Sequence, residues 1–284
     1  MKKNRILVIG GTGKTGRKVA ERLSAQEQIV RIGSRNQSPA FDWKDSSTWD
    51  AALEGMDQVY ITFQPDLAVP GALEAIEELT KKAKHAGIGK LVLLSGKGEK
   101  EAELCEQVII HSGLDHTIVR ASWFNQNFSE SFFLDPIVAG HVALPKAEAL
   151  VPYVDTDDIA DVVTAALTQP GHNGKIYELT GPELLKFEEV VDRIAKATGR
   201  ELQFTPITLS AYIKMLEEYQ VPSDYIWLIN YLFSEVLDKK SNAVVTNDIE
   251  KVLGRKPKDF TTYVNETAAS GVWNTPVGDL QSAG

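Results

Sequence analysis

Residues 6–16, ILVIGGTGKTG, constrain this chain more than any other stretch. An apolar run at 6–9 meets a glycine cluster, and an amphipathic segment at 17–24 follows. Strand, tight turn and helix in that order aim backbone N–H groups and the positive end of a helix dipole at an anion. Two phosphate-binding designs compete for it. A P-loop would use Gly13-Lys14-Thr15 as its second half, but it needs glycine at position 8, where the chain has Val8. The other design is a dinucleotide turn, with glycines spaced Gly10-x-x-Gly13-x-x-Gly16. That spacing keeps the tight turn, the approach to pyrophosphate and the close helix–strand contact. A merely structural glycine turn is the plainer alternative.

The rhythm after the turn predicts an α/β protein of the Rossmann type. Strands are expected at 29–33, 40–43 (short), 58–62, 90–95 and 117–120, with helices to 24 and over 47–53, 71–86 and 101–112. Strands separated by helices of this length imply right-handed crossovers and a doubly wound parallel sheet. Gly87, Gly113 and Gly199 stand where helices should stop. Beyond Arg120 the pattern loosens: 122–150 is aromatic-rich and without clear period. A helix then starts at 156–158, a strand is expected at 175–179, and a strongly amphipathic helix at 187–198. From Leu209 the chain reads as mostly helical, with breaks at Pro222 and Pro257. We therefore divide it into a dinucleotide-binding domain, 1–150, and a part at 151–284 that completes the sheet edge and forms a smaller, mostly helical cap. Ligands in open α/β sheets bind at the C-terminal edge of the strands.

The end of the second strand selects the cofactor. An NAD site places an acid there for the ribose 2′-hydroxyl, yet residues 28–41 contain none. Arg31, Ser34, Arg35 and Asn36 stand there instead, donors suited to the 2′-phosphate of NADP(H). A solvated basic loop is the alternative. The net charge of −9 argues against nucleic acid as a partner. The N-terminal apolar run is too short for a signal peptide, and the densest apolar stretch, YIWLINYLF at 225–233, is half a membrane span. The expected compartment is the cytoplasm. That stretch could serve as cap core, pocket wall or dimer surface.

Other candidate chemistry is weaker. Cys105 is the only cysteine and sits in a helical segment, so a packed thiol is favoured over a nucleophile. Asp155-Thr156-Asp157-Asp158 precedes an apolar helix and reads as an N-cap with first-turn acids rather than a paired-acid or metal site. Histidines 85, 111, 116, 141 and 172 lack ligand spacing, so no metal is expected, and no G-x-S-x-G elbow exists.

Over nearly its whole length the chain resembles the NmrA-like, atypical short-chain dehydrogenases. It is most similar to the subgroup of festuclavine-dehydrogenase-like proteins and their bacterial relatives. The matching segments are GGTGKTG (10–16), SRN (34–36), FDWKDSSTW (41–49), LVLLS (91–95), SGLDHTIVRASWFNQNF (112–128), VDTDDIAD (154–161), YELTGPELL (177–185) and TNDIEKVLGRKP (246–257). The resemblance implies that Gly10, Thr12, Gly13, Lys14, Thr15 and Gly16 hold the pyrophosphate. Ser34 and Arg35 would read the adenosine phosphate, while Asp42 and Trp43 border the adenine. Thr62, Phe63, Gln64, Ser95 and Lys97 would approach the nicotinamide ribose, and Trp123, Phe124, Asn125 and Asn127 the substrate. The aromatics among them could equally be core.

One departure matters. Ordinary short-chain dehydrogenases use a Tyr-x-x-x-Lys pair, in which lysine lowers the tyrosine pKa for proton transfer. None of the eight tyrosines here has a lysine four residues on, and Ala102 stands where NmrA-like reductases often keep a basic residue. Two functions fit. The preferred one is an NADPH-dependent reductase of a quinone-, enone- or iminium-like small molecule that needs little acid catalysis; Lys97 is the nearest candidate for steadying developing charge, and a solvated lysine or a cofactor phosphate contact is the plainer reading of it. The other is a non-catalytic NADP(H) sensor that signals through a protein partner.

Overall fold

The computed structural model describes residues 3–274, so Lys2 and the last stretch of the 151–284 part, 275–284, lie outside the described residues. The strands are β1 (Arg5–Ile9), β2 (Ile29–Gly33), β3 (Gln58–Ile61), β4 (Lys90–Gly96), β5 (Asp115–Ala121), β6 (His141–Leu144), β7 (Lys175–Leu179) and β8 (Gln203–Pro206). The helices are α1 (Gly16–Ala25), α2 (Trp49–Leu53), α3 (Ala72–His85), α4 (Lys100–Ile110), α5 (Leu134–Ala139), α6 (Thr156–Thr168), α7 (Phe187–Thr198), α8 (Leu209–Glu218), α9 (Ser223–Tyr231), α10 (Asp248–Leu253) and α11 (Phe260–Ala269). None of the described helices is long and apolar enough to cross a membrane.

Six parallel strands form the main sheet in the order β2-β1-β3-β4-β5-β7. Its centre is apolar on both faces because helices cover both. Along β1 the side chains alternate: Ile6 and Val8 pack with Val19 and Leu23 of α1 and Ile159 and Val163 of α6. Leu7 and Ile9 pack on the other side with Trp49 of α2, Ile76 and Leu79 of α3 and Cys105 of α4. The thiol of Cys105 is fully buried, and burial pushes it up to about 12, so it is packing and not a nucleophile. Gly87, Gly113 and Gly199 all have positive φ at or just past helix ends, as expected of C-terminal caps.

The elements differ from expectation in two ways. Residues 40–43 are not a strand: Asp42 opens a turn in which its Oδ1 accepts from the Lys44 amide (3.0 Å), and its only pairing is an isolated bridge to Asp45. The local turn bond wins over the apolar character of Phe41 and Trp43, which instead join Trp49 and Phe63 in an aromatic cluster. The second is a gain. β6 and β8 pair in parallel as a separate two-stranded sheet inside the cap; β6 falls in the stretch without clear period, and no element is expected at 203–206. Four residues per strand are too few for periodicity to reveal.

The cap has its own core, where Phe128, Phe133, Phe187, Phe233 and Tyr153 pack ring against ring. Each such aromatic contributes about 1.5–3 kcal/mol by burial. Segments 128–144, 151–153, 185–237 and 260–273 share this core, while β7, α6 and α10 belong to the sheet layer. A division of the chain at residue 150 therefore cuts across the cap, because the chain crosses between layers more than once.

Candidate active site

The glycine turn is built by backbone proximity. Gly10 has φ +71°, its amide donates to Gly33 O (2.9 Å), and its carbonyl accepts from the Gly13 amide (2.8 Å). A Cβ on Gly16 would lie 2.1 Å from Gly10 O, and one on Gly10 would lie 2.0 Å from Thr62 Oγ1. Only glycine at both positions lets α1 start this close to β1 and β3. Thr15 is buried, and its hydroxyl accepts from Tyr60 (3.1 Å), fixing the first turn of α1 from below. The opening amides of α1 have no intrahelical acceptor and the dipole adds positive character there, so the turn can hold a pyrophosphate. Thr12 is exposed at its rim.

At the end of β2, the Ser34 hydroxyl is buried without a hydrogen-bond partner, while Arg35 is exposed. An orphaned hydroxyl beside an exposed guanidinium suits a phosphorylated ribose, so these residues fit the cofactor inferred from the sequence. Arg31 does not join them. Its guanidinium donates to the carbonyls of Ala52 (2.8 Å) and Glu54 (2.8 Å), closing the C-terminal end of α2. Trp43 lies edge-on to Phe41 and donates to Thr62 O (3.0 Å); Asp42 O accepts from Trp49 (2.6 Å).

A cavity of about 370 Å³ opens above the C-terminal ends of β3, β4 and β5. Thr62, Phe63 and Gln64 enter it from the loop after β3, Ser95 and Lys97 from the end of β4 and just beyond, and Trp123, Phe124 and Asn127 from beyond β5. α9 forms its roof through Tyr225, Leu228 and Ile229. The apolar stretch at 225–233 is thus chiefly pocket wall, with Ile229 and Phe233 reaching into the cap core.

Individual side chains are less free than the sequence suggested. Lys14 lines the cavity and donates to Asn127 Oδ1 (3.1 Å); burial lowers its pKa. It bridges turn and cap across the cavity mouth. Ser95 donates to Glu106 (2.6 Å), a fully buried carboxylate gripped by Arg120 at 2.6 and 2.9 Å. Lys97 is buried, with its ammonium on Asn242 O (3.3 Å) and 3.9 Å from Glu178. Asn125 does not reach the cavity: it is fully buried behind the wall, where its amide group donates to Asp155 (3.4 Å).

The Asp155 carboxylate accepts from the Asp157 amide (2.8 Å), as an N-cap should. The neighbouring acids do more than complement the dipole. Asp157 pairs with Lys18 (2.9 Å) and Arg22 (2.9 Å) of α1, and Asp158 with Arg255 (2.6 Å) from beyond α10.

Two functional candidates escaped the sequence reading: Asp66 and Glu99, both on the cavity wall. Each follows a sheet strand by a few residues, and an acid in that position was the available signal.

With this geometry in place, the comparisons are informative. Prestalk A differentiation protein A of Dictyostelium discoideum is 29% identical over 279 residues, covering 92% of each chain. Agroclavine dehydrogenase of Claviceps fusiformis is 27% identical over 94% of this chain and 98% of its own. The NADPH-dependent quinone oxidoreductase of Escherichia coli, solved with NADPH, shares the fold at TM-score 0.72 and 19% identity, covering 92% of this chain and 99% of its own. Residues 2–266 match the NmrA-like family, and the chain belongs to that family.

Proposed function

We propose that the protein is an NADPH-dependent reductase of a quinone-, enone- or iminium-like small molecule. The observation that carries this reading is the roofed cavity of about 370 Å³ beside the dinucleotide turn. Its size is that of a small-molecule site, and a sensor of cofactor state alone has no need of it. The names of the relatives agree: one is a dehydrogenase, and a protein of the same fold is a quinone oxidoreductase holding NADPH.

The bound cofactor would supply hydride. The chain's own residues do the rest. Gly10, Gly13 and Gly16 with the start of α1 hold the pyrophosphate, and Ser34 with Arg35 takes the 2′-phosphate. Thr62, Phe63, Gln64 and Ser95 border the nicotinamide ribose; Trp123, Phe124 and Asn127 face the acceptor. With cofactor and acceptor seated beneath it, the α9 roof would help to exclude water, which strengthens electrostatic contacts inside. Lys97, tied to Asn242, keeps a fixed positive charge in the wall near the reacting end.

The lack of a Tyr-x-x-x-Lys pair favours the second reading, an NADP(H) sensor acting on a protein partner. NADPH absorbance followed with quinones, enones, iminium salts and aldehydes decides between them. Turnover of one acceptor class supports the reductase; tight NADPH binding with no turnover supports the sensor. Arg35→Asp should weaken NADPH binding by about 10–100-fold, the loss of one charge-assisted phosphate contact, and leave NADH binding nearly unchanged. Equal losses for both cofactors would remove the 2′-phosphate assignment.

A further inference from the structure

Glu99 occupies the N-cap position of α4, but its carboxyl does not cap the helix. It folds back over Gly96, where a Cβ would fall 2.1 Å from the carboxyl carbon and from Oε1. There it meets the side chain of Asp66, close enough for the two to share a hydrogen bond once one of them is protonated. Both line the cavity, and Glu99 is only 6% exposed. Asp66 is fixed by the Ala68 amide, which donates to its Oδ1 (2.8 Å). Glu99 Oε2 has no partner if both groups are ionised. Two carboxyls can bond to each other only when one of them carries a proton, and that proton resolves the orphaned oxygen.

We propose that Asp66 and Glu99, brought together on the cavity wall, hold one proton between them and give it to the acceptor as it is reduced. This rests on the reductase reading and adds the proton donor that reading lacks. The surroundings suit the role. Burial, then Asp66, and then Glu101 and Glu106 raise the Glu99 pKa well above the usual carboxylate range, and all three neighbours are acids. Of the other ionisable groups near the cavity, Tyr225 sits in the roof and is 42% exposed, while three are already engaged. Lys97 is on Asn242 and Glu178, Lys14 on Asn127, and Tyr231 of α9 donates to Glu101 while accepting from the Lys100 amide. Burial raises the Asp66 pKa as well.

The step balances. For a neutral conjugated acceptor such as a quinone or enone, hydride supplied by the bound cofactor would add to the conjugated system and leave a π pair as a lone pair on the acceptor oxygen, X. That lone pair takes the proton from the carboxyl pair, forming X–H. The cofactor is oxidised, the acceptor is reduced by two electrons, and the pair, left doubly ionised, regains a proton from water. An iminium acceptor differs, because hydride alone gives the neutral amine and no proton is needed.

The experiment uses the full chain with NADPH, a quinone and an iminium salt. Glu99→Gln and Asp66→Asn should each lower kcat for the quinone by about 100-fold and change the iminium rate by no more than about twofold, with the NADPH Kd unchanged. The alkaline decline of the quinone kcat profile should disappear in Glu99→Gln. Infrared difference spectra of the protein without cofactor at neutral pH should show the carbonyl stretch of one protonated carboxylic acid, absent from Glu99→Gln. Equal losses on both acceptors, an unchanged quinone profile in the variants, or no such band in the wild type overturns the proposal. A wild-type protein that binds NADPH and reduces neither acceptor overturns instead the reductase reading on which it rests.

Discussion

The molecule contains two carboxylate clusters that sequence composition cannot distinguish, and their surroundings move Asp157 in one and Glu99 in the other in opposite directions. At the start of α6, Asp155, Asp157, Asp158 and Asp161 face Lys18, Arg22, Arg255 and Lys258. Burial works against Asp157, yet Lys18, Arg22 and Lys258 hold its carboxyl well below the usual range. At the cavity, Asp66 and Glu99 meet burial and other acids, and are pushed upward. The first cluster clamps α1, and with it the glycine turn, onto α6 and the C-terminal segment. The second keeps a proton beside the reacting space. An acid's role is set by which charges the fold brings to it.

The largest expected effect comes from breaking the clamp at its buried member. Asp155→Ala removes the cap of α6 and strands the side-chain amide of Gln126, which donates to Asp155 at 3.1 Å. A cap is worth about 1–2 kcal/mol and a stranded buried donor about 1–3, so a loss of about 3 kcal/mol is expected in urea denaturation. A loss below about 1 kcal/mol would remove the clamp from the argument. Next is Gly96→Ala, whose methyl must displace the Glu99 carboxyl at a cost of about 1–3 kcal/mol. It should also abolish the protonated-acid infrared band, whereas Ala would leave the band intact if Glu99 were not seated over Gly96.

Smaller effects test the sign of the difference. Asp157→Asn should cost about 1 kcal/mol at neutral pH, since its ion pairs are partly exposed and screened. Because the folded-state pKa of Asp157 is depressed below 3.8, its contribution is complete above about pH 4 and is lost as pH falls further. The Asn variant should therefore flatten the acid limb of stability against pH. Glu99 behaves in the opposite sense: its raised folded-state pKa makes the native state bind the extra proton above pH 4.5, so stability declines as pH rises from there to that pKa. Glu99→Gln, close in shape to the protonated acid, should match the wild type near pH 4, remove that decline, and so be the more stable protein at neutral pH. Parallel pH curves for the two variants would show that the clusters do not differ.

Much of the fold was legible because it is locally encoded. The glycine turn, the apolar strands and the amphipathic α7 each carry their signal within a few residues. The N-cap at Asp155 was legible for the same reason. Failures lie where the deciding partner is distant in sequence. Arg31 was grouped with the phosphate readers by adjacency, but the carbonyls that end α2 claim it. Asn125 was grouped with its neighbours beyond β5, but the chain turns it behind the wall toward Asp155. The cap sheet pairs His141 with Gln203, and neither strand is long enough to announce the other.

By itself the sequence determined the parallel sheet, the dinucleotide turn, the exclusion of a P-loop by Val8 and the acid-free end of β2. All of these follow from residue type and spacing along one short segment, where sterics and hydrogen bonding are local. Only the tertiary structure decided that α9 roofs the cavity, that four acids become a clamp, and that Asp66 and Glu99 meet. Those outcomes depend on groups separated by tens of residues and on the water excluded between them. Burial and nearby charge, which set the energy of an ionised side chain, exist only once the chain has folded.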